Sequence, residues 1–470
     1  MRMPSTRHDT LIVRLSLVCA LLTFGVRGGG IVGNAMPATG VNSKTAVPPP
    51  SLPTFNADIA PILYRQCVSC HRPGEAGPMS LRTFADVRPW ARAIKARVLA
   101  REMPPWGADP GIGSFRSARV LSQTEVETLV RWVDAGSPEG PGTPPPPPNF
   151  PEGWNGSMNR PPDRVLELPI EFALPASGEI PTFTVWSQLP FGEDRFVEAI
   201  EVRPSNRRIV HHAGISVGDL PPGTEIGLGP LWDEGPLSEG VAVFKDGRPF
   251  RAMIGEEFGY PLIFYVPDGG FLRFPQGVAK RLPARKYLAW GMHFTTTGQP
   301  EHTHLTMGLW FAQNPVEHEA LTMTVNEKVF VGGEPVPVDA HGRLLIPSIP
   351  AGASNWEISG TLAVKSNATL YSLWPHMHYR GKDMKFSVVD PDGHETTILS
   401  VSKYSPLWQT TYELTNPLKI RAGSTIRAVA HYDNSPGNRL NPAPNQDVLW
   451  GPQSWNEMFH AFVELSTESR

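Results

Sequence analysis

The chain has 470 residues, 40% of them hydrophobic and 19% charged, with 44 glycines, 51 prolines, three cysteines and a net charge of −3. Glycine and proline make up about a fifth of it, against an average nearer 12%, which excludes a helical bundle and favours short strands joined by turns. The mildly acidic balance leaves no footprint for nucleic acid, and so few cysteines exclude a disulfide-stapled scaffold. The length asks for roughly two to four domains.

Residues 1–35 read as an export signal. Arg2 and Arg7 precede an apolar stretch, Leu11 to Val26, which is interrupted by Arg14 and too short for a convincing membrane span. Gly33 and Ala35 follow as small residues; a retained anchor is the alternative. Cys19 lacks a small residue just ahead of it, which weakens a lipoprotein reading. The mature chain is therefore expected to be periplasmic or secreted, with no stable membrane span. Residues 36–54 form a loose lead rich in proline.

Residues 55–140 read as helical. Asp58 to Gln66 suits one helix, and Phe84 to Arg101 a longer one broken near Pro89. Ser122 with Glu125 makes a capping box ahead of the stripe Val126, Leu129, Val130 and Val133, ending at Gly136. A linker, 141–162, contains the polyproline run Pro144 to Pro148 and predicts a stiff spacer. Beyond it the pattern is all-β. Phe196–Val202, Ile209–Val217, Thr369–Leu373 and Thr425–Ala430 are short strand-like runs bounded by turn clusters such as Asp390-Pro391-Asp392-Gly393. A split near Pro315 gives two all-β sandwich domains, 163–315 and 316–470, after one small all-α domain.

Cys67-Val68-Ser69-Cys70-His71 is a CxxCH motif, in which two thiols can add to haem vinyl groups and the adjacent imidazole can ligate iron. A zinc site would need a further ligand, and no His or Cys lies between His71 and His211. One covalently bound c-type haem is expected. Met103, in a proline-stiffened loop, is the preferred sixth ligand, with Met79 the competitor. The region resembles class I cytochrome c, which implies electron transfer at the iron.

Twelve of the fourteen histidines follow residue 210. His376 and His378 are two apart, so a strand would put both on one face. His211 and His212 are neighbours and would share an ion only through a local twist or through different ring nitrogens. His293 ends an apolar run, and Asn456 to Phe462 reads as a strand with Met458, His460 and Phe462 on one face. Imidazole with thioether suits copper, since sulfur accommodates the cuprous state. Glu301-His302-Thr303-His304 also has chelating spacing, in an expected surface turn. His431 and His460 are candidates to orient a ligand.

The order His-His, His, His-x-His, Glu-Met resembles that of the type II copper, ascorbate-dependent monooxygenases, the family of peptidylglycine α-hydroxylating monooxygenase and dopamine β-hydroxylase. The resemblance runs over about residues 163–468. It implies two jelly-roll-like sandwiches and two copper ions: His211, His212 and His293 would hold the electron-transfer copper, and His376, His378 and Met458 the oxygen-activating, catalytic one, facing each other across an open cleft. It further implies hydroxylation of a substrate C–H bond with O2 and an electron donor, either an ascorbate-like reductant or a redox protein.

Three departures qualify it. The β region contains no cysteine, whereas the animal members are tied by disulfides. Trp374 stands where the peptide-amidating enzyme has a carboxylate-gripping Arg. His460 and Phe462 replace its substrate-holding Asn and Tyr, so Trp374 and Phe462, with Trp455, point to a more apolar substrate than a peptidyl-glycine. The fused haem is expected to relay electrons to copper, the alternative being a copper module that oxidises substrate and exports electrons through the haem. The competing readings are a non-catalytic haem–copper electron-transfer or copper-binding protein, and a carbohydrate-binding sandwich attached to a cytochrome.

Overall fold

The computed structural model of the chain describes residues 52–468 apart from 117, 151–152, 155–157, 169, 252–258, 268 and 341. The expected signal, most of the lead and Cys19 lie outside the described residues. No helix among the described residues is long and apolar enough to cross a membrane.

The helices fall between residues 55 and 134. A π-type turn, Phe55–Ile59, runs into the helix Ala60–Gln66, whose Pro61 sits in the first turn, where no amide hydrogen is needed. The helix expected from Phe84 to Arg101 is interrupted at Pro89: Phe84–Val87 passes through a 3-10 turn, Arg88–Trp90, into Ala91–Leu99. Gln123–Asp134 opens on the expected capping box, with Ser122 Oγ accepting from the Glu125 amide and the Glu125 carboxylate accepting from the Ser122 amide. Gly136 leaves it in the left-handed region, at φ +86°. Leu129 and Trp132 are buried against Phe55, Ile59, Leu63, Val68 and Val87, while Val126 and Val133 pack at the margin. The buried stripe is thus rotated toward Trp132.

The remainder is mostly β. The runs read as strands fall within Arg195–Pro204, Val210–Gly218, Ala368–His376 and Thr425–Tyr432, apart from Ile209, which precedes its strand. The first sandwich packs a four-stranded sheet (Phe183–Gln188, Tyr287–Phe294, Val210–Gly218, Tyr260–Tyr265) over Arg164–Glu167, Leu305–Phe311 and Arg195–Pro204. In the second, a six-stranded sheet containing Trp356–Ala363, Thr425–Tyr432 and Gly381–Val389 covers Ala368–His376 and His460–Thr467. One nine-stranded sheet serves both halves. Its halves meet at a parallel pair, Val278–Leu282 with His318–Thr324, registered Val278 to His318 and Ala279 to Glu319. The split near Pro315 therefore falls just ahead of the strand that joins the two halves.

At this seam Lys280 is fully buried. Its ammonium donates to the Pro261 and Leu262 carbonyls and to Thr322 Oγ1, and lies 2.9 Å from Glu464 Oε2. Four strands converge on that one charge.

The helical region is packed against both sandwiches. Arg207 pairs with Glu75 at 3.0 Å. Trp106 and Phe115 meet Tyr412 edge on, with ring centroids 5.1 and 5.5 Å from its own, and the Asp109 amide donates to the Ser400 carbonyl. The polyproline run alone had predicted only a tether.

Candidate metal centre

His211 and His212 lie on Val210–Gly218, which pairs with Tyr287–Phe294. The register sets His212 opposite His293 and then Val210 opposite Phe294, so His211 is the extra residue of a β-bulge. A bulge can turn two consecutive side chains toward one place, which regular alternation forbids. The three rings stand 4.9–5.1 Å apart, and one donor atom from each lies within 4.8 Å of the others. The Nδ1 atoms of His211 and His212 are 3.0 Å apart.

His376 is the last residue of its strand. Met377 is buried in the second core, so His376 and His378 face together on the other side, with rings 5.2 Å apart. His460 opens the strand His460–Thr467 opposite His376, its ring 6.0 Å away. Met458, expected within that strand, precedes it in irregular chain. Its carbonyl accepts from the Tyr432 hydroxyl at 2.6 Å. His376 Nδ1 is buried with no hydrogen-bond partner, a costly state for a ring nitrogen unless something else engages it.

The two groups adjoin. His212 meets His376 edge on at 5.5 Å, in place of the open cleft that the family resemblance implied. Burial lowers the pKa of every ring: His211, His378 and His460 to about 4, His293 to about 3, and His212 and His376 well below the ordinary value. Neighbouring imidazoles reinforce this at His212 and His293. All six are neutral at pH 7, with lone pairs available.

Groups outside the rings orient them. The Pro406 carbonyl accepts from His211, the Asn456 carbonyl stands 3.3 Å from His378 Nδ1, and the Ser454 hydroxyl 3.1 Å from His293 Nε2. Each contact engages one ring nitrogen and so restrains the ring.

Glu457 is the residue that sequence reasoning undervalued. It is fully buried, accepting from the His378 amide at 2.8 Å and the Arg380 amide at 2.6 Å, and burial pushes its carboxyl up to about 8. It holds the turn that aims His378. The Glu-Met pair marks its position, but not this role, because those partners are 79 and 77 positions away. Glu457→Gln puts an amide hydrogen against a backbone N–H and should cost about 1–3 kcal/mol, read as a lower urea midpoint at constant slope. An unchanged midpoint would show the Glu457 acceptor to be dispensable.

The other candidates lie elsewhere. His431 has Asp383 at 2.6 Å on Nδ1 and Glu357 at 3.3 Å on Nε2. His302 lies on a strand, Glu301–Thr303, rather than in a turn; among the described residues neither it nor His304 joins a three-residue metal cluster. Trp374 stacks on Phe264 at 3.8 Å and on Phe462 at 5.1 Å, with its indole N–H donated to the Gln409 carbonyl. These rings line a cavity of about 180 Å³ that no histidine lines. A second cavity, about 310 Å³, is lined by His211, His293 and His378 with Ile180, Tyr379 and Leu407. Trp455 lines neither.

No curated protein matches the chain. Among solved structures, PNGF-II is 10% identical over 65% of this chain and 65% of its own length, with a TM-score of 0.24. The tandem CBM22 domains of Paenibacillus barcinonensis Xyn10C are 9% identical over 59% of this chain and 79% of theirs, with a TM-score of 0.16. The chain thus spans just under two thirds of PNGF-II, and likenesses this distant carry no argument about fold or function. Residues 346–464, the stretch that holds His376, His378 and Met458, match the model of the copper type II ascorbate-dependent monooxygenase C-terminal domain, and that part of the chain is similar to copper monooxygenases in general.

Proposed function

We propose that the chain is an exported copper monooxygenase that hydroxylates a C–H bond of a small molecule with O2 and receives electrons through a c-type haem. The observation that carries the copper assignment is the convergence of His211, His212 and His293 within 4.8 Å, next to a family match that covers the other three ligand positions. Copper held by His376, His378 and Met458 would supply the oxygen chemistry, and copper held by His211, His212 and His293 the second electron. The donor sets suit that metal: neutral imidazoles in both, one thioether, and a buried His376 Nδ1 without a protein partner.

The chain's own residues do the rest. Ser454, Pro406 and Asn456 fix ring orientation, and Glu457 fixes the backbone beneath His378. The cavity beside His211, His293 and His378 is at the lower end of the ordinary range for ligand sites, about 300–1,000 Å³. Ile180 and Leu407 give it an apolar wall and Glu179, Thr296 and Gln409 a polar one, so the substrate is a small molecule with both apolar and polar groups. Trp374 and Phe462 stack together beside His376 and, with Phe264, line the separate cavity of about 180 Å³.

The haem assignment rests on the CxxCH segment. His71 Nδ1 lies 3.2 Å from the Met79 carbonyl, which leaves Nε2 as the atom free to ligate. A haem held there would take its sixth ligand from Met103 or Met79: Met79 packs, with Cys67, against the core of the helical region, whereas Met103 is 40% exposed. A side chain at Gly77 would lie 2.7 Å from both His71 Nδ1 and the Cys70 carbonyl, so glycine lets the chain fold back under the imidazole. Both cysteines are free, and burial pushes the Cys67 thiol up to about 12, the opposite of what a redox-active CxxC pair needs.

Metal analysis should find two coppers and one iron per chain, with a covalently bound haem band. His378→Ala should lose one copper and leave the EPR signal of the other unaltered. Iron alone would favour the carbohydrate-binding reading. Two coppers that consume no O2 with reductant and candidate substrates would favour the electron carrier.

A further inference from the structure

We infer that the segment from Ser405 to Thr411 is the electron inlet of the histidine cluster, with Trp408 as its port and separate branches to His211 and His376. This rests on the haem and copper reading above. Arg119 Nη1 lies 3.7 Å from Cys70 Sγ, and its guanidinium sits 5.7 Å from the centre of the Trp408 ring. The Trp408 indole nitrogen is buried with no partner among protein atoms. Beside a guanidinium, that N–H marks a place for an acceptor the protein does not itself supply.

From Trp408 the chain leads both ways. Two residues back, the Pro406 carbonyl accepts from the His211 imidazole. One residue on, the Gln409 carbonyl accepts from Trp374 Nε1 at 2.8 Å, and the Trp374 ring lies 4.9 Å from that of His376. The segment is pinned: Gln409 Nε2 and the Tyr404 hydroxyl both donate to the Met377 carbonyl, at 3.1 and 2.6 Å. Electron tunnelling decays more slowly through covalent and hydrogen bonds than across empty gaps. The branch to His211 runs through covalent and hydrogen bonds, and the branch to His376 does so as far as Trp374 and ends on a ring contact of 4.9 Å, so both outcompete a jump through empty space. Each event is a one-electron exchange in which ferrous haem iron becomes ferric and one cupric ion becomes cuprous, with no proton required.

Flash photoreduction of the copper-loaded, haem-containing protein by a ruthenium dye tests the route without substrate or O2. Absorbance follows haem reoxidation, and freeze-quenched EPR follows the loss of each cupric signal. Trp408→Leu should lose the fast phase of haem reoxidation while keeping its haem band and both coppers, and Trp408→Phe should retain more of it. Trp374→Leu should slow loss of the cupric signal that His378→Ala removes and leave the other unaffected. A Trp408→Leu protein with all its metals and an unaltered fast phase would overturn the route. An unsubstituted protein without haem or copper would instead overturn the function on which it rests.

Discussion

Lys280→Ala should destabilise the protein by about 3–5 kcal/mol, because it strands the Glu464 carboxylate in the seam between the sandwiches. Lys280 is entirely shielded from solvent, and its ammonium has three hydrogen-bond acceptors besides Glu464 Oε2. Thr322 also donates to that same oxygen, at 2.6 Å. Burial lowers the Lys280 pKa and the Glu464 charge raises it, so the pair is stable only as a pair. The double variant Lys280→Met with Glu464→Leu should recover most of the loss, since a buried ion pair replaced by packed apolar groups is often neutral. Urea unfolding followed by fluorescence decides it. A single variant as stable as the parent would mean that water or chain movement repays the unpaired carboxylate. The effect should reach the site: Glu464 shares a strand with His460, and Ala368–His376 is hydrogen-bonded along that strand. Loosening the seam should widen the contact between His212 and His376 and weaken copper retention.

The metal-free protein should be sharply acid-labile between pH 6.5 and about 4. The rings of His211, His378 and His460 titrate near 4 in the folded chain and that of His293 near 3, against about 6.5 when unfolded. Below pH 6.5 the unfolded chain takes up protons that the folded chain refuses, so stability is full above that pH and is lost as pH falls through the window. Each imidazole adds up to about 1.4 kcal/mol per pH unit. Thermal midpoints of the metal-free protein should fall steadily from pH 7 to pH 4.5, and less steeply in a variant with His211 and His293 both changed to Gln. A flat profile would mean that the rings are solvated in solution. With copper bound the same protons compete with the metal, so acid should also release it.

Much of this was legible along the chain, and the reason differs from element to element. The Ser122 and Glu125 capping box and the break at Pro89 depend on residues within one or two turns, so local chemistry decides them. The pairing of His376 with His378 follows from strand alternation, which the buried Met377 between them obeys. The bulge at His211 was not legible: it depends on how Val210–Gly218 registers against Tyr287–Phe294, some eighty positions away, and nothing in Arg208-Ile209-Val210-His211-His212 announces the slip. Trp374 and Phe462 were undecided along the chain for the same kind of reason. An aromatic beside a ligand position suits a substrate wall or a core equally well, and in the fold these rings stack with Phe264 and also line a cavity of about 180 Å³.

By itself the sequence determined the inventory: a CxxCH segment, a turn-rich β region, and an ordered set of imidazoles and one thioether. These are properties of residue type and short spacing, which chemistry reads without a fold. The tertiary structure alone decided that one sheet runs through both sandwiches, that Glu457 and Ser454 hold the rings, and that His212 touches His376. Those contacts join residues from 77 to more than 160 positions apart. They form only when burial of the two apolar cores compensates for the chain entropy lost in closing such long loops.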